Sequence, residues 1–179
     1  MISIRLADLA EVRAAGIVRP VSAEWQAVTP AMRRLEMAAG AALGEHCSRL
    51  GELPVGSAAI TTAGNLPVQF MVHAVVRSNQ EQVSAASVQR ALQNALRRAA
   101  EWGLDTIAIA PFGTGAGNLD AEESARIMLE VLHEHMLDSR YPESAEIIVD
   151  SEYEREVFER QLAGQSLPHL YDPRAEEQQ

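Results

Sequence analysis

The stretch from Ile107 to Glu123 constrains the fold of this chain more than any other. An apolar run rich in isoleucine is followed by three glycines in five positions, Gly113, Gly115 and Gly117, and then by Asp120, a candidate helix N-cap. This order predicts a strand, a glycine turn and a helix. Because glycine has no side chain and accepts positive φ, such a turn exposes backbone N–H groups beside a helix N-terminus. The arrangement favours a phosphate or another anion as ligand.

A turn that merely reverses the chain is the alternative interpretation of this stretch. The sequence matches neither GxxxxGK[ST] nor GxGxxG, so it predicts neither a Walker loop nor a standard dinucleotide fingerprint. Glu122 and Glu123, next to the turn, are interpreted as partners of the helix dipole rather than as acid/base groups.

Strand patterns and helix patterns alternate along the chain. Strands are predicted at 2–6, 17–18, 57–62, 69–76, 106–110 and 145–149, and helices over 29–39, 84–102, 120–137 and 151–162. We expect Pro20 to limit the second strand, because proline donates no ladder hydrogen bond. The alternation predicts an α/β domain with a mostly parallel sheet, and the two successive strands at 57–76 make that sheet mixed. One domain over 1–164 and a disordered polar tail over 165–179 are expected.

Composition narrows the possible partners and cofactors. The chain has 179 residues and a net charge of −10, from 15 basic and 25 acidic residues, which disfavours nucleic-acid binding. The single cysteine, Cys47, rules out an internal disulfide and disfavours a structural zinc site. His133 and His135 are two residues apart and do not share a helix face, so no metal site is expected. No cofactor is expected either. Without a membrane-length apolar run or a signal-peptide pattern, we expect a cytoplasmic protein that does not bind membranes.

Two segments carry a resemblance to a known family. The segment from Pro54 to His73 and the loop Pro111-Phe-Gly-Thr-Gly-Ala-Gly-Asn-Leu119 resemble the macro domain family, which includes ADP-ribose-1″-phosphate processing proteins. The resemblance runs from about residue 2 to about residue 163. It implies a three-layer α/β/α sandwich with a mixed, mostly parallel sheet of about six strands. It also implies binding of ADP-ribose or a related nucleotide, and some family members hydrolyse ADP-ribose derivatives.

The resemblance also implies which residues contact the ligand. Asp8 matches the family aspartate that accepts a hydrogen bond from the adenine amine. Tyr153 is a weaker candidate for the adenine site, and Leu119 stands where the family often places an aromatic residue. The implied phosphate and ribose loop consists of Gly113, Thr114, Gly115, Ala116, Gly117, Asn118 and Leu119.

The chain departs from the family pattern in front of its first helix. Arg19-Pro-Val-Ser22 stands where the family has Asn-Ala-Ala-Asn, and Val28-Thr-Pro-Ala31 stands where it has Gly-Gly-Gly-Val. Val28 and Thr29 are stiff β-branched residues and Pro30 has no N–H, so this loop cannot wrap a phosphate as three glycines do. Without the usual asparagine and glycines, we do not expect the standard hydrolase mechanism.

Three functions are therefore compatible with the sequence. The first is a divergent macro domain that binds ADP-ribose or a related nucleotide, with Arg19 and Ser22 making new contacts. The second is a divergent hydrolase of ADP-ribose derivatives, such as O-acetyl-ADP-ribose or ADP-ribosylated substrates, in which Arg19, Ser22 or Glu24 replaces the lost groups. The third is a structural or interaction module that keeps the fold but has lost its ligand. Arg19 either pairs with a phosphate or is tied internally to Asp8 or Glu24, and the sequence leaves the oligomeric state open.

Overall fold

A computed structural model describes residues 1–115 and 119–165. The expected tail lies outside these residues, apart from Gln165. Within them, no helix is long and apolar enough to cross a membrane. The strands are β1 (Ile2–Leu6), β2 (Gly16–Ser22), β3 (Ala58–Thr62), β4 (Phe70–Arg77), β5 (Thr106–Ile109) and β6 (Ser144–Val149). The helices are α1 (Pro30–Ala39), α2 (Ala41–Arg49), α3 (Ala85–Glu101), α4 (Ala121–Asp138) and α5 (Glu152–Gln165), and a short 3₁₀ turn spans Leu9–Glu11.

The six strands form one mixed sheet in the order β1-β6-β5-β2-β4-β3. Five strands are parallel, and β3 runs antiparallel to β4 at one edge. The prediction of a mixed, mostly parallel sheet is thus confirmed. The carboxyl ends of the five parallel strands lie along the same side of the sheet, which we call its carboxyl edge. Open α/β sheets bind ligands at this position.

Helices cover both faces of the sheet, which confirms the three-layer α/β/α architecture. On one face, α3, α4 and α5 pack on alternate strand residues such as Val72, Ile107 and Ile147. On the other face, α1, α2 and the 3₁₀ turn pack on the intervening residues, which include Ile17 and Met71. The core is largely aliphatic, as the scarcity of aromatic residues predicts.

The second strand is longer than predicted, because Pro20 lies inside it rather than at its end. β2 pairs with β4 from Gly16 to Ser22, but with β5 only from Gly16 to Val18. Val18 O accepts from Ala110 N on the β5 side. Strand residues alternate, so the Pro20 nitrogen also faces that side, just beyond the end of β5. The missing N–H therefore breaks no ladder hydrogen bond.

The first predicted helix is followed by a second helix that the sequence pattern does not indicate. α1 begins as expected, with Thr29 Oγ1 accepting from Met32 N at 3.2 Å and Pro30 at the first position. The backbone turns at Gly40, where φ is +88°, and continues as α2. Leu43 continues the apolar spacing of Met32, Leu35 and Ala39 along the sequence, but it lies on α2.

The buried face of α3 gives a direct test of this packing. Leu96 is 0% exposed in the core between α3 and the sheet, whereas Leu137, near the end of α4, is 85% exposed. We expect Leu96→Ala to lower the free energy of unfolding by about 2–5 kcal/mol, because it leaves a cavity. Leu137→Ala should change it by less than about 0.5 kcal/mol. Urea denaturation of both variants measures the difference, and equal effects would contradict the assigned layers.

Candidate functional site

The first candidate site lies at the carboxyl edge of the sheet. Asp8 follows β1, the glycine loop follows β5 and Asp150 follows β6. An ion pair of 2.9 Å between Arg34 Nη2 and Asp150 Oδ2 joins α1 to this edge. The structure therefore places Asp8 and the start of the glycine loop, two of the predicted ligand contacts, at one edge of the sheet.

The start of the glycine loop is anchored to α4. Phe112 is fully buried; its N–H contacts Met128 Sδ at 3.2 Å, and its carbonyl accepts from Ser124 Oγ at 2.6 Å. Leu119 N closes the loop by donating to Gly113 O at 3.1 Å. These contacts fix where the glycines begin and where the chain returns to the helix.

Gly113 and Gly115 both have φ of +82°, a left-handed conformation that favours glycine. A Cβ on Gly113 would lie 2.7 Å from Leu119 Cδ1, and one on Gly115 would lie 3.2 Å from Thr29 Cγ2. The backbone N–H groups of Gly113, Thr114 and Gly115 donate to no atom of the described residues. No residue of the described chain thus uses these three donors. The predicted contacts of Ala116, Gly117 and Asn118 lie outside the described residues.

The space beneath these glycines is small. A cavity of about 10 Å³, hardly enough for one water molecule, is lined by Val28, Val76, Arg77, Val83, Gly113, Thr114 and Gly115. The Val28–Thr29 segment approaches the loop where the family has glycines. A phosphate at these N–H groups therefore requires the two loops to separate or the ligand to lie on the outer side.

Asp8 and Ser22 occupy different environments. Asp8 is exposed; its Oδ1 caps the 3₁₀ turn by accepting from Ala10 N at 2.9 Å, and its Oδ2 binds no described residue. Ser22 is 3% exposed, and its Oγ accepts from Gln26 N at 3.1 Å. Asp8 can therefore accept a hydrogen bond from a ligand, whereas the Ser22 hydroxyl already closes a turn.

Acidic side chains surround this edge. Glu122 and Glu123 lie in the first turn of α4, and Asp120 caps that helix through Glu123 N. The exposed Tyr153 hydroxyl lies 3.3 Å from both carboxylate oxygens of Glu122, and the Glu122 charge raises the pKa of that phenol. An anionic ligand at the loop meets this negative charge, which the backbone donors and the nearby Arg77 side chain oppose.

Arg19 lies in the middle of β2, on the face covered by α1 and α2, and not at the mouth of the glycine loop. It is 1% exposed. Its Nη1 donates to Glu36 Oε1 on α1 at 2.5 Å, and its Nε donates to His73 Nδ1 on β4 at 2.9 Å. The expected internal partners Asp8 and Glu24 are wrong, because inward-facing Arg19 points at α1, where Glu36 is the nearby carboxylate.

The hydrogen bonds around His73 determine its tautomer. Because Arg19 donates to Nδ1, the ring proton sits on Nε2, which lies 2.9 Å from Thr61 Oγ1. Thr61 Oγ1 in turn donates to Thr62 O at 2.8 Å. Burial, reinforced by the charges of Arg19 and then His46, holds the pKa of His73 well below its usual value of 6.5. His73 is therefore neutral and structural.

Cys47 and Trp25 complete this buried cluster. Cys47 Sγ lies 4.0 Å from His73 Nε2, and burial raises the pKa of its thiol, which disfavours a nucleophilic role. Trp25 packs edge-on against the His73 ring at a centroid distance of 5.1 Å and donates to Gly51 O at 2.6 Å. Its φ of +67° is unusual for a bulky residue, so these contacts hold the backbone in a strained conformation.

A cavity of about 640 Å³ opens next to the buried cluster, between α1, α2 and the turn at 24–27. We call it the α1–α2 cavity. It shares no lining residue with the glycine loop. Its lining comprises Arg19, Glu24, Trp25, Gln26, Ala27, Arg33, Glu36, Met37, Gly40, Ala41, Leu43, Gly44, Cys47 and Ser48.

The sequence profile of the Macro domain family matches residues 31–128, more than half of the chain. The chain belongs to the macro domain family.

Curated relatives and solved structures agree with this assignment. An uncharacterized protein of Aeropyrum pernix is 32% identical over 127 residues, which cover 70% of this chain and 67% of that protein. An O-acetyl-ADP-ribose deacetylase of Enterobacter cloacae is 30% identical over 141 residues, covering 74% and 78%. The Oceanobacillus iheyensis macrodomain with ADP superimposes with a TM-score of 0.83 at 20% identity, covering 91% of this chain and 90% of that one. The chain also matches mycobacterial relatives, of whose length it spans about a quarter.

Sequence reasoning misses Glu36, Trp25 and Arg33 of this macro domain. One signal is available for Glu36. Arg19 lies on the same side of its strand as Ile17 and Val21, so its side chain has to point into an apolar layer. A charge in such a layer requires a partner. If Pro20 limits the strand, as expected, Arg19 instead lies at the end of that strand, where Asp8 and Glu24 are the expected partners.

The Arg19–Glu36 pair can be compared with a matched exposed pair. We expect Arg19→Met to lower the free energy of unfolding by about 2–3 kcal/mol, because it removes the donors of Glu36 and of buried His73. Arg34→Met breaks the Arg34–Asp150 pair, whose side chains are 57% and 50% exposed, and should lower it by less than about 1 kcal/mol. Chemical denaturation measures both effects. Equal small losses would show that the Arg19 cluster is not structural.

The neutral His73 predicts a pH dependence of stability. Its pKa is lower in the folded than in the unfolded protein, so its stabilising contribution is complete above about pH 6.5 and decreases as the pH falls below it. Between about pH 7.5 and about pH 5.5, the wild type should lose about 1 kcal/mol more stability than His73→Gln. Urea titrations at both pH values measure this. The same pH slope in the two proteins would contradict a neutral buried imidazole.

Proposed function

We propose that this macro domain binds ADP-ribose or a related nucleotide at the carboxyl edge of its sheet, without the standard hydrolase mechanism. The observation that carries this proposal is the set of backbone N–H groups on Gly113, Thr114 and Gly115, which donate to no described residue. They follow a parallel strand and precede the N-terminus of α4. Such donors bind a phosphate without a cationic side chain. The Oceanobacillus iheyensis macrodomain, solved with ADP, supports a ligand of this class.

Asp8 extends the proposed site to the base. It is exposed, and its Oδ2 binds no described residue, so it can accept from an exocyclic amine. Arg34, at the same edge, pairs with an exposed aspartate and can turn towards a phosphate. The proposed ligand thus meets backbone donors at its diphosphate and a carboxylate at its base.

We expect this chain to bind ADP-ribose more weakly than is usual for the family. The Val28–Thr29–Pro30 segment stands where three glycines would bring backbone close to the diphosphate, and it already lies against Gly115. Losing two or three charge-assisted hydrogen bonds, at about 1.5–3 kcal/mol each, corresponds to a loss of affinity of about 150-fold or more. Titration calorimetry with ADP-ribose measures this affinity. A submicromolar dissociation constant would contradict the expected role of the altered loop.

The alternative function is hydrolysis of an ADP-ribose derivative. It is favoured by the relatives named O-acetyl-ADP-ribose deacetylases. The groups that could replace the lost asparagine do not support it, however: Arg19 and Ser22 are buried in internal hydrogen bonds, and Glu24 accepts from Asn79 Nδ2. A turnover assay on O-acetyl-ADP-ribose separates the two functions. Binding without turnover supports the proposal, turnover supports the alternative, and neither supports a module without a ligand.

The glycine loop can be tested with a matched pair of substitutions. Gly115→Val places a branched side chain where φ is +82° and where the phosphate must approach, so ADP-ribose binding should be lost. Gly103→Val introduces comparable backbone strain, at a φ of +63°, beyond the end of α3. It should lower stability but leave the dissociation constant of the folded protein unchanged. Unaltered binding by Gly115→Val would exclude the glycine loop as the site.

A further inference from the structure

The α1–α2 cavity has a charged floor whose hydrogen-bonding capacity is only partly used. The Arg19 guanidinium carries five N–H donors. Nε donates to His73, Nη1 donates to Glu36, and a further hydrogen bond joins the guanidinium to the Cys47 thiol. These three bonds leave two of the five donors. Arg19 also lines the cavity, although its side chain is only 2% exposed.

A second cationic group lies on the wall of the cavity. Arg33 is exposed on α1, and its guanidinium forms no ion pair with any described residue. The cavity also begins where α2 begins: Gly40 and Ala41 line it, and no side chain caps that helix N-terminus. The floor and one wall thus offer hydrogen-bond donors towards the same space.

The charges of the lining favour a monoanion over a dianion. Its acidic residues in the described chain are Glu24 and Glu36, and its basic residues are Arg19 and Arg33. These charges balance, so the lining has no excess positive charge to compensate a dianion. A dianion would meet the Glu24 carboxylate and the −10 net charge of the chain. A monoanion is repelled less.

Trp25, Met37 and Leu43 add apolar surface to the cavity, and the volume suits a small organic molecule. We propose that the α1–α2 cavity binds a small organic carboxylate, whose charged group meets Arg19 and Arg33 and whose apolar body packs against Trp25, Met37 and Leu43. The volume of about 640 Å³ lies in the range of small-molecule sites. An arginine buried to this degree holds its donors in a fixed orientation, so it recognises a carboxylate geometrically as well as by charge. The nucleotide proposed above binds elsewhere, at the carboxyl edge of the sheet.

Benzoate is a suitable probe, and benzamide is its neutral control of nearly the same shape. The full chain, labelled with ¹⁵N, is titrated with each compound while the NMR signals of Arg19 Nε and Trp25 Nε1 are followed. We expect a saturable shift of both signals with benzoate and at least about tenfold weaker binding of benzamide. Equal binding of the two compounds would show that the cavity has no carboxylate subsite. Tighter binding of inorganic phosphate at the same signals would contradict a monoanion site.

A cavity-filling variant tests the location. A Cβ on Gly44 meets nothing within 4 Å, and leucine favours a helix more than glycine does, so Gly44→Leu should fold and occupy the cavity. Gly164→Leu, on α5, adds the same side chain where the surroundings are equally open. We expect benzoate affinity to fall at least about tenfold in Gly44→Leu and to be unchanged in Gly164→Leu. Retained affinity in Gly44→Leu would overturn the proposal.

A charge variant tests the wall. Arg33→Gln should weaken benzoate binding several-fold, because it removes the cation from the cavity wall. Arg34→Gln, one position along the same helix but outside the cavity lining, should leave it unchanged. Equal effects of the two would contradict a local role of Arg33. ADP-ribose titrations of the same variants distinguish the cavity from the nucleotide site. Gly44→Leu and Arg33→Gln are expected to bind the nucleotide as the wild type does.

Discussion

The buried guanidinium of Arg19 joins the elements on one face of this macro domain. A charge on a central strand of an apolar sheet is strongly unfavourable unless it is paired and hydrogen-bonded. Here Glu36 pairs with it from α1, and His73 accepts from it on β4. His73 in turn bonds Thr61 on β3 and contacts Cys47 on α2. One side chain therefore determines how two helices and three strands meet.

The internal pairing of Arg19 separates the role of this cluster from that of the glycine loop. Since Arg19 is committed to the cluster, it cannot also serve a ligand at the glycine loop. That loop offers mainly backbone donors, and the surrounding Asp120, Glu122 and Asp150 give the edge a negative field. Backbone N–H groups keep their partial charge at any pH and need no counter-ion, so they are well suited to bind phosphate there. The weak affinity that we propose follows from this balance.

The sequence predicts most of the fold because its local patterns and its long-range packing agree. Thr29, Ser84 and Asp120 stand where helices are expected to begin, and each caps a helix in the structure. Errors arise where the surroundings override a local rule: Pro20 sits inside β2 because its nitrogen faces a gap in the ladder. The helix α2 escapes prediction because Gly40 has the pattern of a helix end, and nothing in the local sequence indicates a new start.

The candidate site is predictable only in part. Periodicity and the glycine pattern indicate the loop after β5 and the edge on which it lies. They do not indicate the partner of Arg19, because Glu36 is distant in sequence and exposed on one side of its helix. The α1–α2 cavity depends on the angle between two helices, which no residue pattern states. Contacts of this kind are determined by tertiary packing.

The central claim is that the glycine loop binds the nucleotide while Arg19 serves the fold. Following the backbone amide signals of Gly113, Thr114 and Gly115 and the Arg19 Nε signal by NMR during an ADP-ribose titration tests it most directly. We predict large, saturable shifts of the three amides and little change at Arg19. Unchanged amides together with a shifted Arg19 signal would contradict the account.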